Sequence, residues 1–543
     1  MTARAETIED VIRHLIGTTP PKIPRWPPDV FCLMAAILHR SGAYTSVTDD
    51  HPPRIKLPKG EKWPEYVRRI GNEWRDNATT AAELPAELQK HWTRIVKAWK
   101  SPLTQVRVKR DCLTSILFLL ACSDEACIGV GISISHLARR SRTTPKDPFL
   151  WDAEERLFST IREGSTMCKE IDSGRARVLP KMHTPQNGMT IRSLSHYAAY
   201  CPATDLTPEW YSFGTDTQEH ALNLLLIPWP ARITPNQFLA SRKVLLSDEV
   251  ERGAYGMFTF KAGPGPPIGL VKQIITTAEL EIGPIDGLIL PELALSPYEY
   301  LQLARKFVTD RRFLVAGVGK CASPKRSGIN SVRMNAILPG FGFGVALEQQ
   351  KHHRWKLNKS QIMQYGIGAS LHPEANWWEH ISLSERKVMF ISLRPWLTMS
   401  VLICEDLARP DPVGDLARAV GPNLIIALLM DGPQLADRWP ARYAASLADD
   451  PGSSVLTVTS TGMSTLSRPQ EGENRSDVIA LWKDARTGKA RELQLLENAA
   501  ALVLNVTVVY GEEWTADGRG DRGASGYPIL AGHHPIFVGR KNR

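Results

Sequence analysis

Leu397-Thr398-Met399-Ser400-Val401-Leu402-Ile403-Cys404-Glu405-Asp406 is an apolar run that breaks into polar sequence at a cysteine. The run suits a buried strand. Strand ends in α/β proteins form the rim of the sheet, where ligands bind and where backbone N–H groups are free to stabilise negative charge. A thiol at such a position is a candidate nucleophile, whereas a cysteine in mid-strand is usually inert. The plainer reading is a small core residue followed by two acids that cap a helix.

Upstream, Asp286-Gly-Leu-Ile-Leu-Pro291-Glu292-Leu-Ala-Leu-Ser296 is a second short apolar run, this one carrying a carboxylate. Between the two lies Gln349-Gln350-Lys351-His352-His353-Arg354-Trp355-Lys356-Leu357. Downstream, Asn423-Leu-Ile-Ile-Ala-Leu-Leu-Met430 precedes Arg442-Tyr-Ala-Ala-Ser-Leu447 and then Val455-Leu-Thr-Val-Thr-Ser-Thr-Gly462, a strand, helix and strand pattern.

Glu, then Lys, then Cys, each near an expected strand end, resembles the nitrilase (carbon-nitrogen hydrolase) superfamily. The resemblance runs from about Ala221 to about Val509. It implies a four-layer α-β-β-α sandwich; the spacing by itself implies only α/β. It also implies catalytic roles: Cys404 as nucleophile, Glu292 as the base that takes the thiol proton and returns one to the departing amine, and a lysine that stabilises the oxyanion. Lys351, in Lys351-His352-His353, resembles the family's Lys-x-His signature; Lys356 is the alternative. Where the family often carries a further carboxylate after its lysine, this chain has Gln361, which leaves the second acid open, with Glu379 a candidate. His352 and His353 are expected as packing or hydrogen-bonding partners, and Trp377, Trp378 and Trp439 as core or pocket-lining residues. The family implies an amide or nitrile substrate, no cofactor, and a homo-oligomer.

The 543 residues exceed one ordinary core and suggest more than one domain. A composition of 43% hydrophobic and 23% charged residues is that of a soluble globular chain. No apolar run reaches the roughly 20 residues a membrane helix needs, and Leu113 to Ala121 is expected as a core helix. The acidic start of the chain shows no export signal, and eight cysteines without framework spacing fit a reducing compartment, so a cytoplasmic location is expected. Cys122 and Cys127 lack the second ligand pair a zinc site needs, and no metal constellation accompanies the Cys, Glu and Lys motifs. The net charge of +9 permits nucleic acid as a partner without indicating it. Arg107-Val-Lys-Arg110 and Arg139-Arg-Ser-Arg142 are expected as solvated faces.

Residues 1–175 read as a mainly helical N-terminal domain, 176–219 as a connector, 220–510 as the nitrilase-like domain and 511–543 as a C-terminal tail. Ile8, Val11, Ile12, Leu15 and Ile16 fall at helical spacing behind Thr7, a candidate N-cap; further helices are expected at Val30–Leu38, Cys112–Ala121 and around Phe149–Phe158. Gly129-Val130-Gly131 lacks the third glycine of a dinucleotide fingerprint and reads as a turn. Strands are expected near 222–228, 286–290, 313–318, 334–338, 397–403, 423–430, 455–459 and 501–509, with helices at Val271–Leu280 and Tyr298–Phe307 and a hairpin turning near Thr487-Gly488. The rival to the hydrolase is a nitrilase-like binding or scaffold module in a bacterial defence setting, recognising protein or nucleic acid through its N-terminal half.

Overall fold

The computed structural model describes residues 5–48, 55–78, 80–129, 166–213, 220–246, 254–323, 326–337, 344–467, 477–523 and 525–539. The helix expected around Phe149–Phe158, the cluster Arg139–Arg142 and residues Val130 and Gly131 lie outside the described residues.

The N-terminal part is helical: α1 (Ile8–Ile16), α2 (Pro27–Ser41), α3 (Trp63–Ala78), α4 (Ala86–Lys97) and α5 (Arg110–Ala126). Thr7 caps α1 in a capping box with Asp10, and Gly17 closes the helix at φ 85°, a conformation that costs glycine least. Of the face predicted for α1, Ile8, Val11, Ile12 and Leu15 are buried and Ile16 is half-buried, while α2 and α5 are buried nearly all round, as their apolar stretches require.

Two seven-stranded sheets follow. Sheet A runs from edge to edge as β10 (Gly344–Gln350), β9 (Ile329–Ile337), β8 (Phe313–Lys320), β7 (Gly287–Leu295), β4 (Ala221–Leu226), β19 (Ala501–Gly511) and β20 (Ser525–Ile536). Sheet B runs as β18 (Ala490–Gln494), β17 (Val478–Lys483), β16 (Ser454–Val458), β15 (Leu424–Leu428), β14 (Leu397–Ile403), β13 (Lys387–Arg394) and β3 (Thr207–Ser212). The central pairs β4–β7–β8 and β14–β15–β16 are parallel, so the C-terminal ends of neighbouring strands gather on one rim of each sheet. A four-stranded sheet, β11 (Lys356–Leu357), β12 (Ala375–Glu379), β6 (Ala254–Phe260) and β5 (Phe238–Leu246), and the pair β1 (Ala176–Pro180) with β2 (Ala198–Pro202) complete the strands.

Period-two alternation decides which face of sheet A meets what. Leu224, Leu226, Ile289 and Val315 belong to the core shared with sheet B. Leu225, Leu288, Leu290, Leu314 and Ala316 instead pack with Ile274 and Ile275 of α6 (Ile268–Glu281) and Tyr300 and Leu303 of α7 (Pro297–Phe307). Strands buried on both faces read as unbroken apolar runs, which is why they were legible. Four further helices, α8 (Lys359–Gln364), α9 (Asp415–Val420), α10 (Trp439–Asp449) and α11 (Thr461–Leu466), lie between strands of the second half.

One expectation needs correction. The segment expected as a C-terminal tail contains β20, which pairs antiparallel with β19 along its whole length and closes the edge of sheet A. Asp517-Gly-Arg-Gly-Asp-Arg-Gly-Ala-Ser-Gly526 is turn-rich, and it masked the strand behind it. The connector likewise supplies β3, whose Trp210 is buried against Phe390. Among the described residues no helix is long and apolar enough to cross a membrane.

Candidate active site

The run quoted first is β14, buried at all seven positions. Cys404 opens the 3-10 turn Cys404–Ala408 with φ 47°, a left-handed conformation that turns the chain sharply off the strand. Leu293, directly after Glu292, is also left-handed at φ 56°. Such strain in ordinary residues costs about 1–3 kcal/mol and clusters at functional sites. Gly317 of β8 explains how Glu292 fits: a Cβ there would lie 2.4 Å from the Glu292 Cα and from the Pro291 carbonyl oxygen.

Glu292 and Lys351 come together in the interior. Lys351 Nζ donates to Glu292 Oε1 at 2.9 Å and to Glu379 Oε2 at 2.8 Å, and its side chain is wholly buried. Asn330 Nδ2 bridges the same two carboxylates, at 2.7 Å to Glu292 Oε1 and 2.8 Å to Glu379 Oε1. The Trp355 main-chain N–H adds a bond to Glu379 Oε2. Glu292 Oε2 accepts no hydrogen bond from the described residues and is shielded from solvent. The charges of Glu292 and Lys351 both reach the Cys404 thiol.

The electrostatics follow from one cation shared by two acids. Burial raises the Glu292 carboxyl, Lys351 opposes this, and the second carboxylate, Glu379, raises it further; the net direction is upward. Burial works against the Lys351 ammonium, yet Glu292 and then Glu379 hold its pKa well above the usual lysine value. Burial and then Glu292 push the Cys404 thiol well above its usual value, with Lys351 pulling the other way. Burial thus favours the protonated form of both the Cys404 thiol and the Glu292 carboxyl.

Asp406 couples the cysteine turn to the lysine strand. Its carboxylate takes the main-chain N–H groups of His352 and His353 and the Nδ1 atoms of both rings at 3.2 and 3.0 Å. Burial would raise its pKa, but these bonds overcome that and hold it below the usual carboxylate range. The two histidines thus act as hydrogen-bonding partners of a carboxylate two residues from Cys404.

Lys356, the alternative lysine, is exposed and lies over the Trp378 ring at 5.4 Å. Trp377 is buried with its indole N–H on the His372 carbonyl oxygen, while Trp439 begins α10 beside Asp431. Asn330, Asp406 as a clamp, and Asp431 were not foreseen. Asn330 sits in a strand of mixed polar and apolar residues, with nothing to distinguish it from Asn335. Asp431 had one signal, its place directly after an apolar run. Cys122 and Cys127 are buried and pushed well above the usual thiol value by burial. Among the described residues no group of three His, Cys, Asp or Glu side chains is arranged to hold a metal ion.

No family model matches this chain. No curated protein matches it either. Among solved structures, a member of the nitrilase superfamily is similar to it. That structure is Nit3 of Saccharomyces cerevisiae, from branch 10 of the superfamily, with 14% identity over 50% of this chain and 86% of that one and a TM-score of 0.29. A glutamine-dependent NAD(+) synthetase from Cytophaga hutchinsonii is similar at 10% identity over 44% of this chain and 36% of that chain, with a TM-score of 0.23.

Proposed function

We propose that this chain hydrolyses a non-peptide carbon-nitrogen bond, of amide or nitrile type, through a thioester on Cys404 within a nitrilase-like α-β-β-α sandwich. The observation that carries the reading is the Lys351 ammonium held between Glu292 and Glu379, with the Cys404 thiol inside the field of both Glu292 and Lys351.

For an amide the steps balance as follows. The thiol proton passes to Glu292 as sulfur attacks the carbonyl carbon, because a buried thiol raised above its usual value does not ionise ahead of attack. Lys351 and the backbone N–H that follows Cys404 stabilise the oxyanion; removing one such donor typically costs about 2.7–4 kcal/mol of barrier. Glu292 then protonates the departing amine, the carbon-nitrogen bond breaks and the thioester remains. Water attacks the thioester, loses a proton to Glu292, and the acid leaves as the thiol is regenerated. Glu379 and Asn330 are the positioning residues, orienting Lys351 and Glu292.

The test is to incubate the full chain with cell extract and with simple amides and nitriles, quench in acid, and weigh peptides by mass spectrometry. An acyl adduct on Cys404, absent in Cys404→Ala, is the expected result. Adducts spread over other cysteines, or none on Cys404 with any mixture, would remove the enzymatic reading and leave a binding module.

A further inference from the structure

A second buried acid stands on the rim that carries the cysteine. β14 and β15 are parallel with Ile403 opposite Leu428, so Cys404 is level with Leu429, and Asp431 follows two residues beyond it. The turn is fixed by Thr459 Oγ1, which donates to the Asp431 main-chain oxygen at 2.5 Å. Asp431 Oδ1 accepts from Arg438 Nη2 at 2.9 Å. Gly432 makes room for that arginine, since a Cβ at 432 would lie 2.3 Å from Arg438 Nη1.

The other oxygen is different. Asp431 is only 7% exposed, and no described residue donates to Oδ2 with hydrogen-bond geometry. Burial raises the Asp431 carboxyl, opposed by Arg438, the Gly432 main-chain N–H and the Trp439 side chain. Buried carboxylate oxygens are ordinarily satisfied, because leaving one without a donor forfeits its hydration. Here one strong acceptor is left over, and its charge reaches both the Cys404 thiol and the Tyr365 phenol.

We propose that Asp431 is a specificity-determining residue that receives a cationic nitrogen of the substrate, an alkylammonium group close to the scissile carbon. The inference rests on Cys404 being the nucleophile of the proposed reaction. Asp431 Oδ2 would take one charge-assisted bond from the ammonium, while Arg438 keeps Oδ1 and fixes the carboxylate plane. A substrate with a carboxylate at the same place would meet like charge and be rejected.

The test uses three thiol-alkylating probes of different charge on the full chain: 2-bromoethylammonium, iodoacetamide and iodoacetate. The rate at Cys404 is read by peptide mass spectrometry and divided by the rate at Cys321, an exposed cysteine in the same tube. The expected result is an order 2-bromoethylammonium, iodoacetamide, iodoacetate, with the cation favoured over the neutral probe by about tenfold at Cys404 relative to Cys321. In Asp431→Asn, which keeps shape and loses charge, that preference falls to the value at Cys321. No cation preference in the wild-type chain overturns the inference, and so does one that survives Asp431→Asn. The wild-type comparison stands even if the variant folds poorly. A preference that responds to Asp431→Asn, with no acyl adduct from any amide, would keep the ammonium site and remove the hydrolase. An acyl adduct without charge preference would do the reverse.

Discussion

Lys351→Met deletes one ammonium from between two buried carboxylates and leaves a side chain of similar length. Nζ lies 2.9 Å from Glu292 and 2.8 Å from Glu379, with no solvent at the lysine to take its place. Breaking a buried ion pair by removing one partner costs about 3–5 kcal/mol, because the partner's charge is left uncompensated. Two carboxylates are left here without their cation. The sign follows from linkage. In the variant, burial and the neighbouring Glu379 carboxylate raise the Glu292 carboxyl above its unfolded value of about 4.3, so the folded state binds more protons than the unfolded one. Stability is then present at low pH and lost as pH rises through the folded Glu292 pKa. The expected loss is therefore about 3–5 kcal/mol at neutral pH, shrinking as pH falls towards the ordinary glutamate range. Urea unfolding of both proteins across that pH series measures it, with equal slopes required for the comparison. Adding Glu379→Gln to Lys351→Met removes one of the stranded charges and should recover part of the loss. A cost below about 1 kcal/mol, or one that does not change with pH, would refute the view that this cation holds the two acids in place.

Asp406→Ala strips the main-chain N–H groups of His352 and His353 of their shared acceptor. It should cost about 2–3 kcal/mol in urea unfolding and slow adduct formation on Cys404, since Lys351 loses the anchor of the residue after it. The Asp406 carboxyl is held below its usual value of 3.8, so its stabilisation is present above that value and is lost as pH falls through the lower folded one. Gly317→Ala drives a Cβ into the Glu292 backbone, 2.4 Å from its Cα, where no flexible side chain can yield. A loss of about 1–3 kcal/mol is expected, together with loss of the adduct. A thermal melt and the mass assay read the two effects, and a variant as stable and reactive as the parent would show that the backbone can shift freely.

What was legible in the sequence was whatever a single segment encodes. β14 and β15 announce themselves because both faces are buried and every residue must be apolar. Thr7 and Asp10 announce α1 because a capping box is a local pattern. Choosing Lys351 over Lys356 depended on the run of Lys351-His352-His353, and the histidines earn that run by meeting Asp406, a contact fifty-four residues away for His352. Such contacts leave no local trace. Asn330 bridges Glu292 and Glu379 from a strand that alternates like any half-polar strand, and Glu379 could be named only as a candidate because its partner lies twenty-eight residues upstream. β5 and β6 went unforeseen for a related reason: Phe238, Phe258 and Phe260 pack with Trp355 in a small separate core.

The helical stretch and the C-terminal stretch depend on each other in a way that follows from charge alone. Arg519 is fully buried, donating from Nη1 to Asp124 Oδ2 at 3.0 Å and Glu125 Oε1 at 2.8 Å, and from Nε to Asp517 Oδ2 at 2.9 Å. Asp517 also receives the Trp63 indole N–H from α3, and Asp124 receives the main-chain N–H groups of His196, Tyr197 and Ala198. Burial of Asp124 and Glu125 on α5 without Arg519 would leave two acids short of their main counter-charge, and burial of Arg519 without them would leave it Asp517 alone. Neither stretch can reach this packing before the other. The same C-terminal stretch continues into β20, whose partner β19 pairs with β4 beside the strand of Glu292. The helices at the start of the chain are thus held, through one arginine and two strands, to the sheet that positions the carboxylate of the candidate site.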